Sequence, residues 1–182
     1  CRARITDIKP DRIIEELNQG KVVVVAGYQG ISPRGDLTTL GRGGSDTTAV
    51  ALAAVLKADI CDIYTDVDGV FTADPRIVKN ASKLEVVSYD EMLELASLGA
   101  VVLQPRAVEF AMQYKVKVQV RSSFKQDTGT LVMEAGKMEN NRVVSGVAHD
   151  LNVAKVALFD VPDRPGIART VFKALADANI NV

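Results

Sequence analysis

The sequence predicts an α/β fold, a mostly parallel sheet with helices on both faces, followed by the start of a separate α+β module. Three observations carry that expectation. The apolar run Val22-Val23-Val24-Val25-Ala26 reads as a strand buried on both faces, the habit of strands in parallel sheets. An alanine-rich helical stretch and a second apolar strand follow it, completing a β-α-β unit whose crossover should be right-handed. After a polar break, residues 153–182 repeat the order strand, turn, amphipathic helix and strand start.

The elements are justified in chain order. Residues 10–17 place apolar side chains at helical spacing after Pro10, and Gly20 sits where a glycine stop belongs. Residues 21–26 form the first expected strand, which ends in Gly27-Tyr28-Gln29-Gly30. Residues 31–36, with Pro33 and Gly35, read as a loop. Then comes the stretch around which the chain is organised, Thr38-Thr39-Leu40-Gly41-Arg42-Gly43-Gly44-Ser45-Asp46-Thr47-Thr48. Residues 49–56 after it are strong helix formers without a breaker, so a tight turn should run into a buried helix. Ser45 is the expected N-cap, and Asp46 suits the positive end of the helix dipole. Glycines let the backbone approach a ligand, and a helix N-terminus beside them favours an anion. Arg42 adds a planar fork suited to carboxylate or phosphate. The plain alternative is a glycine-rich loop with an ordinary cap.

Residues 59–64 are the second expected strand, and residues 65–76 leave its carboxyl end. Ligands of open α/β sheets gather at such ends, so both loops should share one edge of the sheet. Ser88-Tyr89-Asp90-Glu91 is a capping box that opens a helix with Met92, Leu93, Leu95 and Ala96 inward, stopping near Gly99. Pro105 begins another helix, whose Ala107, Val108, Phe110, Ala111 and Tyr114 read as core. Residues 116–121 alternate as a strand, 122–130 form a polar loop, and Leu131-Val132 is a short strand. The expected domains are 1–133, a linker at 134–145, and a second module at 146–182. That module should hold a strand at 153–161, a turn at Pro162-Asp163-Arg164-Pro165-Gly166, a helix at 167–176 and a strand from Ile180.

Composition bounds the function. With 22 basic against 23 acidic residues and a formal charge of −1, no basic stripe argues for nucleic acid. The apolar runs are far shorter than a membrane span, and no signal-peptide pattern is read. Cys1 and Cys61 have no metal-ligand spacing, and a cytoplasmic home is expected. The chain has no Walker P-loop, no Gly-x-Gly-x-x-Gly fingerprint and no His-Glu-x-x-His. Its one histidine, His149, reads as a surface or linker residue. Backbone N–H groups, arginines and carboxylates remain, an inventory suited to phosphoryl transfer. Non-catalytic binding of an anion or amino acid is the other class.

Gly27-Tyr28, the stretch from Thr38 to Asp46, and Tyr64-Thr65-Asp66-Val67-Asp68-Gly69-Val70-Phe71-Thr72-Ala73-Asp74-Pro75-Arg76 together resemble aspartate kinase. Ser122-Ser123-Phe124 and Gly129-Thr130 fit the same family, and residues 161–166 resemble the start of its regulatory, ferredoxin-like ACT domain. The resemblance spans nearly the whole chain. It implies the C-terminal part of an amino-acid kinase domain and ATP-dependent phosphorylation of the side-chain carboxylate of L-aspartate, toward lysine, threonine, methionine and diaminopimelate. It implies that Arg42 grips the substrate α-carboxylate and Asp46 meets its ammonium group, the two residues carrying catalysis. Tyr28, Gly43 and Gly44 would complete the pocket. It further implies a nucleotide site at Tyr64, Thr65, Asp66, Val70, Phe71, Thr72, Asp74, Pro75 and Arg76. Asp66 and Asp68 could equally form a solvated turn, and Arg76 a surface ion pair. Mg²⁺ is expected on the ATP phosphates, with no dedicated protein ligands. Asp163 and Asn181 are the implied effector contacts for lysine or threonine; Asp163 could also cap the helix from Ile167, the plain alternative being a pure turn residue. Pairing of ACT modules implies an oligomer.

Two features depart from the family. Its Lys-Phe-Gly-Gly start does not occur in these residues, and Val101 stands where the family often has lysine near the phosphates. The chain opens at Cys1 and closes at Val182 within a strand pattern, so a fragment is expected, inactive by itself. The rival readings are another amino-acid kinase of the same fold and a non-catalytic effector-binding chain.

Overall fold

The computed structural model describes residues 3–100, 102–136, 144–150 and 154–180. They fall into two compact units, Cys1–Asp150 and Leu151–Val182.

The first unit is built on a four-stranded sheet in the order β3 (Cys61–Thr65), β5 (Val118–Ser122), β6 (Thr130–Met133), β4 (Val86–Ser88). β3 and β5 are parallel, with Cys61 opposite Val118 and Thr65 opposite Ser122. β6 is parallel to β4 and antiparallel to β5. Two of the three pairings are parallel, so the α/β expectation is borne out in a mixed sheet. Along β5, Val118, Val120 and Ser122 are buried while Gln119 and Arg121 are only half covered, the period-two pattern of a pleated strand. Helices α2 (Gly44–Leu56), α3 (Tyr89–Ser97) and α4 (Pro105–Tyr114) complete the core, with α4 against both α2 and α3. Val50, Met92, Leu95, Ala107, Val108 and Ala111 join Val118, Val120 and Val132 there.

Local rules explain most element ends. α1 (Asp11–Asn18) stops at Gly20, whose φ of +75° lies in the left-handed region. α3 opens with the expected capping box: Ser88 Oγ accepts from the Glu91 N–H, and the Glu91 carboxylate accepts from the Ser88 N–H at 2.9 Å. α4 starts with Pro105 in its first turn, where a missing N–H costs nothing.

Several expectations are corrected. Residues 21–26 do not form a strand: Val22 and Val24 are 91% and 93% exposed. A valine run becomes a strand only when neighbours take up its N–H and C=O groups, and no described strand does so. The β-α-β crossover is therefore not formed among the described residues. An antiparallel hairpin precedes α2, β1 (Gln29–Ile31) against β2 (Leu37–Thr39), and the loop expected at 31–36 is its connection, at residues 32–36. Its tip is closed by the Ser32 N–H donating to the Asp36 carbonyl at 2.8 Å. Ser45 is not the N-cap of α2. The cap is Gly43 at φ +70°, without a side-chain bond, because a left-handed glycine lets the helix begin at Gly44.

In the second unit, α5 (Ile167–Asp177) forms as expected. Its N-cap is Gly166 at φ +97°, with no side-chain cap, so Asp163 does not cap it. Residues 154–161 carry no strand, and no described strand lies beside them. Asn181 and Val101 lie outside the described residues.

Candidate functional site

The glycine-rich turn is assembled by packing with distant partners. Tyr28, at φ 72°, is tied down on both sides: its N–H donates to Thr48 Oγ1 at 3.1 Å and its carbonyl accepts from the Leu40 N–H at 2.9 Å. A Cβ on Gly44 would lie 2.8 Å from Leu40 Cβ and 3.1 Å from Tyr28 Cδ2, so a glycine lets the tyrosine ring lie across the start of α2. At Gly43 a Cβ would sit 1.6 Å from Gln104 Cγ. Gln104, the N-cap of α4, thus fills the space under the turn. The Ser45 hydroxyl donates to the half-buried Asp46 carboxylate at 3.4 Å, and the Gln104 backbone lies close enough to favour its charged form. Burial outweighs both and raises the Asp46 carboxyl above its ordinary value. Arg42 is exposed at the end of the same turn and makes no hydrogen bond or ion pair among the described residues. The structure therefore brings Tyr28, Gly43, Gly44 and Asp46 together and leaves the Arg42 guanidinium free.

Two clefts open nearby. One, of about 460 Å³, runs between α1 and α2 and is walled by Ile13, Leu17, Val23, Val25, Leu52 and Leu56, with Ser45 and Thr48 at its margin. The other, of about 210 Å³, lies between residues 3–8 and the β1–β2 hairpin. Neither is lined by Arg42, Asp46 or any residue of 64–76. The first is an apolar space and the second a mixed one, with Arg4, Asp7 and Gln29 in its wall; neither is the place where the charges of the turn meet.

The second cluster leaves the carboxyl end of β3. Tyr64 is exposed, with the Arg121 guanidinium 5.6 Å from its ring centroid. The Thr65 hydroxyl donates to Asp66 at 3.1 Å, and Asp68 pairs with Lys125 at 2.6 Å. Val70 turns into the core, Phe71 bridges to Lys83, and the Thr72 N–H donates to the Ser82 carbonyl at 2.9 Å. Asp74 accepts from both the backbone and the guanidinium of Arg76, at 2.8–3.2 Å. Those bonds hold the Asp74 carboxyl below its ordinary value. Arg76 is thus in an ion pair, but its side chain is 89% exposed. Pro75 between them is exposed.

No hydrogen bond or ion pair among the described residues joins the Arg42–Asp46 turn to residues 64–76. Gln104 lies under Gly43, while Gly99 abuts the His149 carbonyl and the Val147 N–H donates to the Thr72 carbonyl at 2.8 Å. Sequence reasoning missed Thr48, Gln104 and Lys125 as supports. Gln104 stands before Pro105, a helix-start signal that could have singled it out; nothing in the sequence marks Lys125. Asp163 is exposed in its turn. Among the described residues, no three His, Cys, Asp or Glu side chains converge to hold a metal ion, and no helix is long and apolar enough to cross a membrane.

Comparison with known proteins gives a consistent picture. Residues 2–122 match the amino acid kinase family and residues 155–182 match the ACT domain. The aspartokinase of Bacillus sp. (strain MGA3) is 58% identical over 180 residues, covering 99% of this chain and 44% of that protein. Crystal structures of E. coli aspartokinase III superpose at 35% identity over 94% of this chain and 38% of theirs. The TM-score is 0.71 for its complex with aspartate and ADP and 0.75 for its complex with lysine and aspartate. The chain spans about 44% of the length of the curated relative it matches. A matched span covering most of the residues, on a mixed α/β sheet shared with solved aspartokinases, places this chain in the amino acid kinase family, with the opening of an ACT domain behind it.

Proposed function

We propose that this chain carries part of the site at which an aspartate kinase transfers the terminal phosphoryl group of ATP to the side-chain carboxylate of L-aspartate, giving 4-phospho-L-aspartate. One observation carries the reading: a half-buried carboxylate, Asp46, and an unpaired guanidinium, Arg42, four positions apart at one helix start. A zwitterionic amino acid needs that pair of charges. Arg42 takes the α-carboxylate through its two-pronged donor face. Asp46 takes the ammonium group, and its raised pKa marks a carboxylate that gains from a cation. Tyr28 walls the pocket, while Gly43 and Gly44 supply backbone donors close to the substrate.

The nucleotide is assigned to residues 64–76. Tyr64, Thr65 and Asp66 would border adenosine, and Val70, Phe71, Thr72, Asp74, Pro75 and Arg76 would follow the phosphates. Positioning and charge neutralisation are most of what phosphoryl transfer asks of a protein. Mg²⁺ is assigned to the ATP phosphates, where it would neutralise charge. The solved relative that holds lysine and aspartate supports feedback by an amino acid through the ACT module, with Asp163 and Asn181 as contacts. Pairing of such modules between chains and a cytoplasmic setting belong to the same proposal. The 182 residues alone are expected to be inactive, since no described strand lies beside the backbone leading into Tyr28.

The test is hydroxylamine capture of aspartyl phosphate by the full-length protein. Arg42→Ala is expected to raise the aspartate KM about 100-fold while leaving the ATP KM within about twofold. Arg42→Lys should recover only part of the loss, because an ammonium cannot donate in two parallel bonds. An unchanged aspartate KM in Arg42→Ala would remove the proposed role.

A further inference from the structure

We propose that Thr130 is a positioning residue for the nucleotide segment: its buried hydroxyl clamps the neck from which residues 70–76 spring and so sets ATP affinity. The inference rests on the assignment of that segment to ATP.

Thr130 begins β6 and is 0% exposed. A buried hydroxyl must find partners. Here it accepts from the Val70 N–H at 2.9 Å and donates to the Leu84 carbonyl at 2.5 Å. Val70 and Leu84 are the two sides of a neck, since the Leu84 N–H donates to the Val70 carbonyl at 2.8 Å. Above the neck, Phe71 bridges to Lys83, and Thr72 exchanges bonds with Ser82. Residues 70–84 are therefore a loop closed at its base and pinned there by one hydroxyl from another strand.

The contact leaves no slack. Gly69 has φ +141°, and a Cβ there would lie 2.5 Å from Thr130 Oγ1. A glycine is thus needed both for the backbone angle and for the approach of the hydroxyl. On the other side, Asp127 receives the Gly129 N–H at 3.2 Å and pairs with Lys83, steadying the entry to β6.

Loss of the hydroxyl should loosen the loop more than the sheet. β6 keeps its backbone ladders to β5 and β4, in which the side-chain oxygen takes no part. The Val70 N–H, by contrast, would be left without its acceptor in a dry site. Asp74 and Arg76 are tied to each other, so the aim of that pair is inherited from the neck below.

The experiment uses the full-length protein, with ATP affinity by calorimetry beside steady-state kinetics. Thr130→Val keeps the shape and removes the hydroxyl. It is expected to raise the ATP Kd about tenfold, leaving the aspartate KM within about twofold. The Val70 amide should exchange faster with solvent. Thr130→Ser retains the hydroxyl and should restore ATP affinity to within about twofold of the parent. If Thr130→Val does not fold, Thr130→Ala is measured against the same limits. Unchanged ATP affinity, or an equal rise in both constants, overturns the inference. A variant with unchanged ATP affinity that still makes aspartyl phosphate sinks only the clamp. A parent protein that binds ATP but makes no aspartyl phosphate sinks the proposed function, and the ATP Kd still decides the clamp.

Discussion

Gly43→Ala is the substitution that most directly probes the turn. Two costs follow from the geometry. The first is backbone: at φ +70° a Cβ crowds the following carbonyl, worth about 1–2 kcal/mol. The second is overlap: the new Cβ would meet Gln104 Cγ at 1.6 Å, Cδ at 2.4 Å and Cβ at 2.8 Å. The side chain can swing away, but the contact with its Cβ requires the start of α4 to shift, adding about 1–3 kcal/mol. The sum is about 2–5 kcal/mol of stability. Gly20→Ala separates the two costs. Gly20 has a similar φ of +75° and nothing within 4 Å of its would-be Cβ, so it should lose about 1 kcal/mol from the backbone alone. Urea unfolding with linear extrapolation measures both variants. Because Gly43 caps the helix whose first turn carries Asp46, Gly43→Ala should raise the aspartate KM, whereas Gly20→Ala should leave it unchanged. Equal stability losses in the two variants, with an unaltered KM in Gly43→Ala, would refute the reasoning.

Two further predictions concern titrating groups. The Ser145 and Ser88 hydroxyls hold the Glu91 carboxyl below its ordinary 4.5, so its contribution to stability is present above that value and is lost as pH falls through the lower folded one. Glu91→Gln should therefore flatten the fall in melting temperature between about pH 5 and pH 3, and an unchanged acid limb would contradict the assignment. Burial, then the Asp62 and Asp46 charges, push the Cys61 thiol up to about 11. In the folded protein at neutral pH, iodoacetamide should label Cys61 far more slowly than in urea, as read by mass spectrometry of its peptide. Equal rates would mean that the site is open.

Several features were legible in the residues because they depend on near neighbours. The capping box at Ser88 and Glu91, Pro105 at a helix start and Gly20 at a helix stop each involve residues within one helical turn. The likeness to aspartate kinase was equally local, carried by continuous stretches at 38–46 and 64–76.

What failed had distant causes. Ser45 has the chemistry of an N-cap, yet Gly43 takes the position because Gln104, far along the chain, fills the space beneath it. The hairpin at 29–39 was hidden because its strands, Gln29-Gly30-Ile31 and Leu37-Thr38-Thr39, are three residues long, too short to show an alternation. Thr130 was read as the end of a polar loop and part of a Gly-Thr pair, whereas it starts β6, since no local pattern announces that its hydroxyl will meet Val70 and Leu84.

By itself, the sequence determined the helices and the capping box, proline start and glycine stop that bound three of them, since rotamer preference, backbone angles and hydrogen bonds within a turn act over a few residues. Only the tertiary structure decided which extended segments become strands, the order of the sheet, and the surroundings that raise the Asp46 pKa and leave Arg42 unpaired. Strand ladders and burial are contacts between remote residues. A valine run such as 21–26 carries the propensity for a strand but not the neighbour that would make it one.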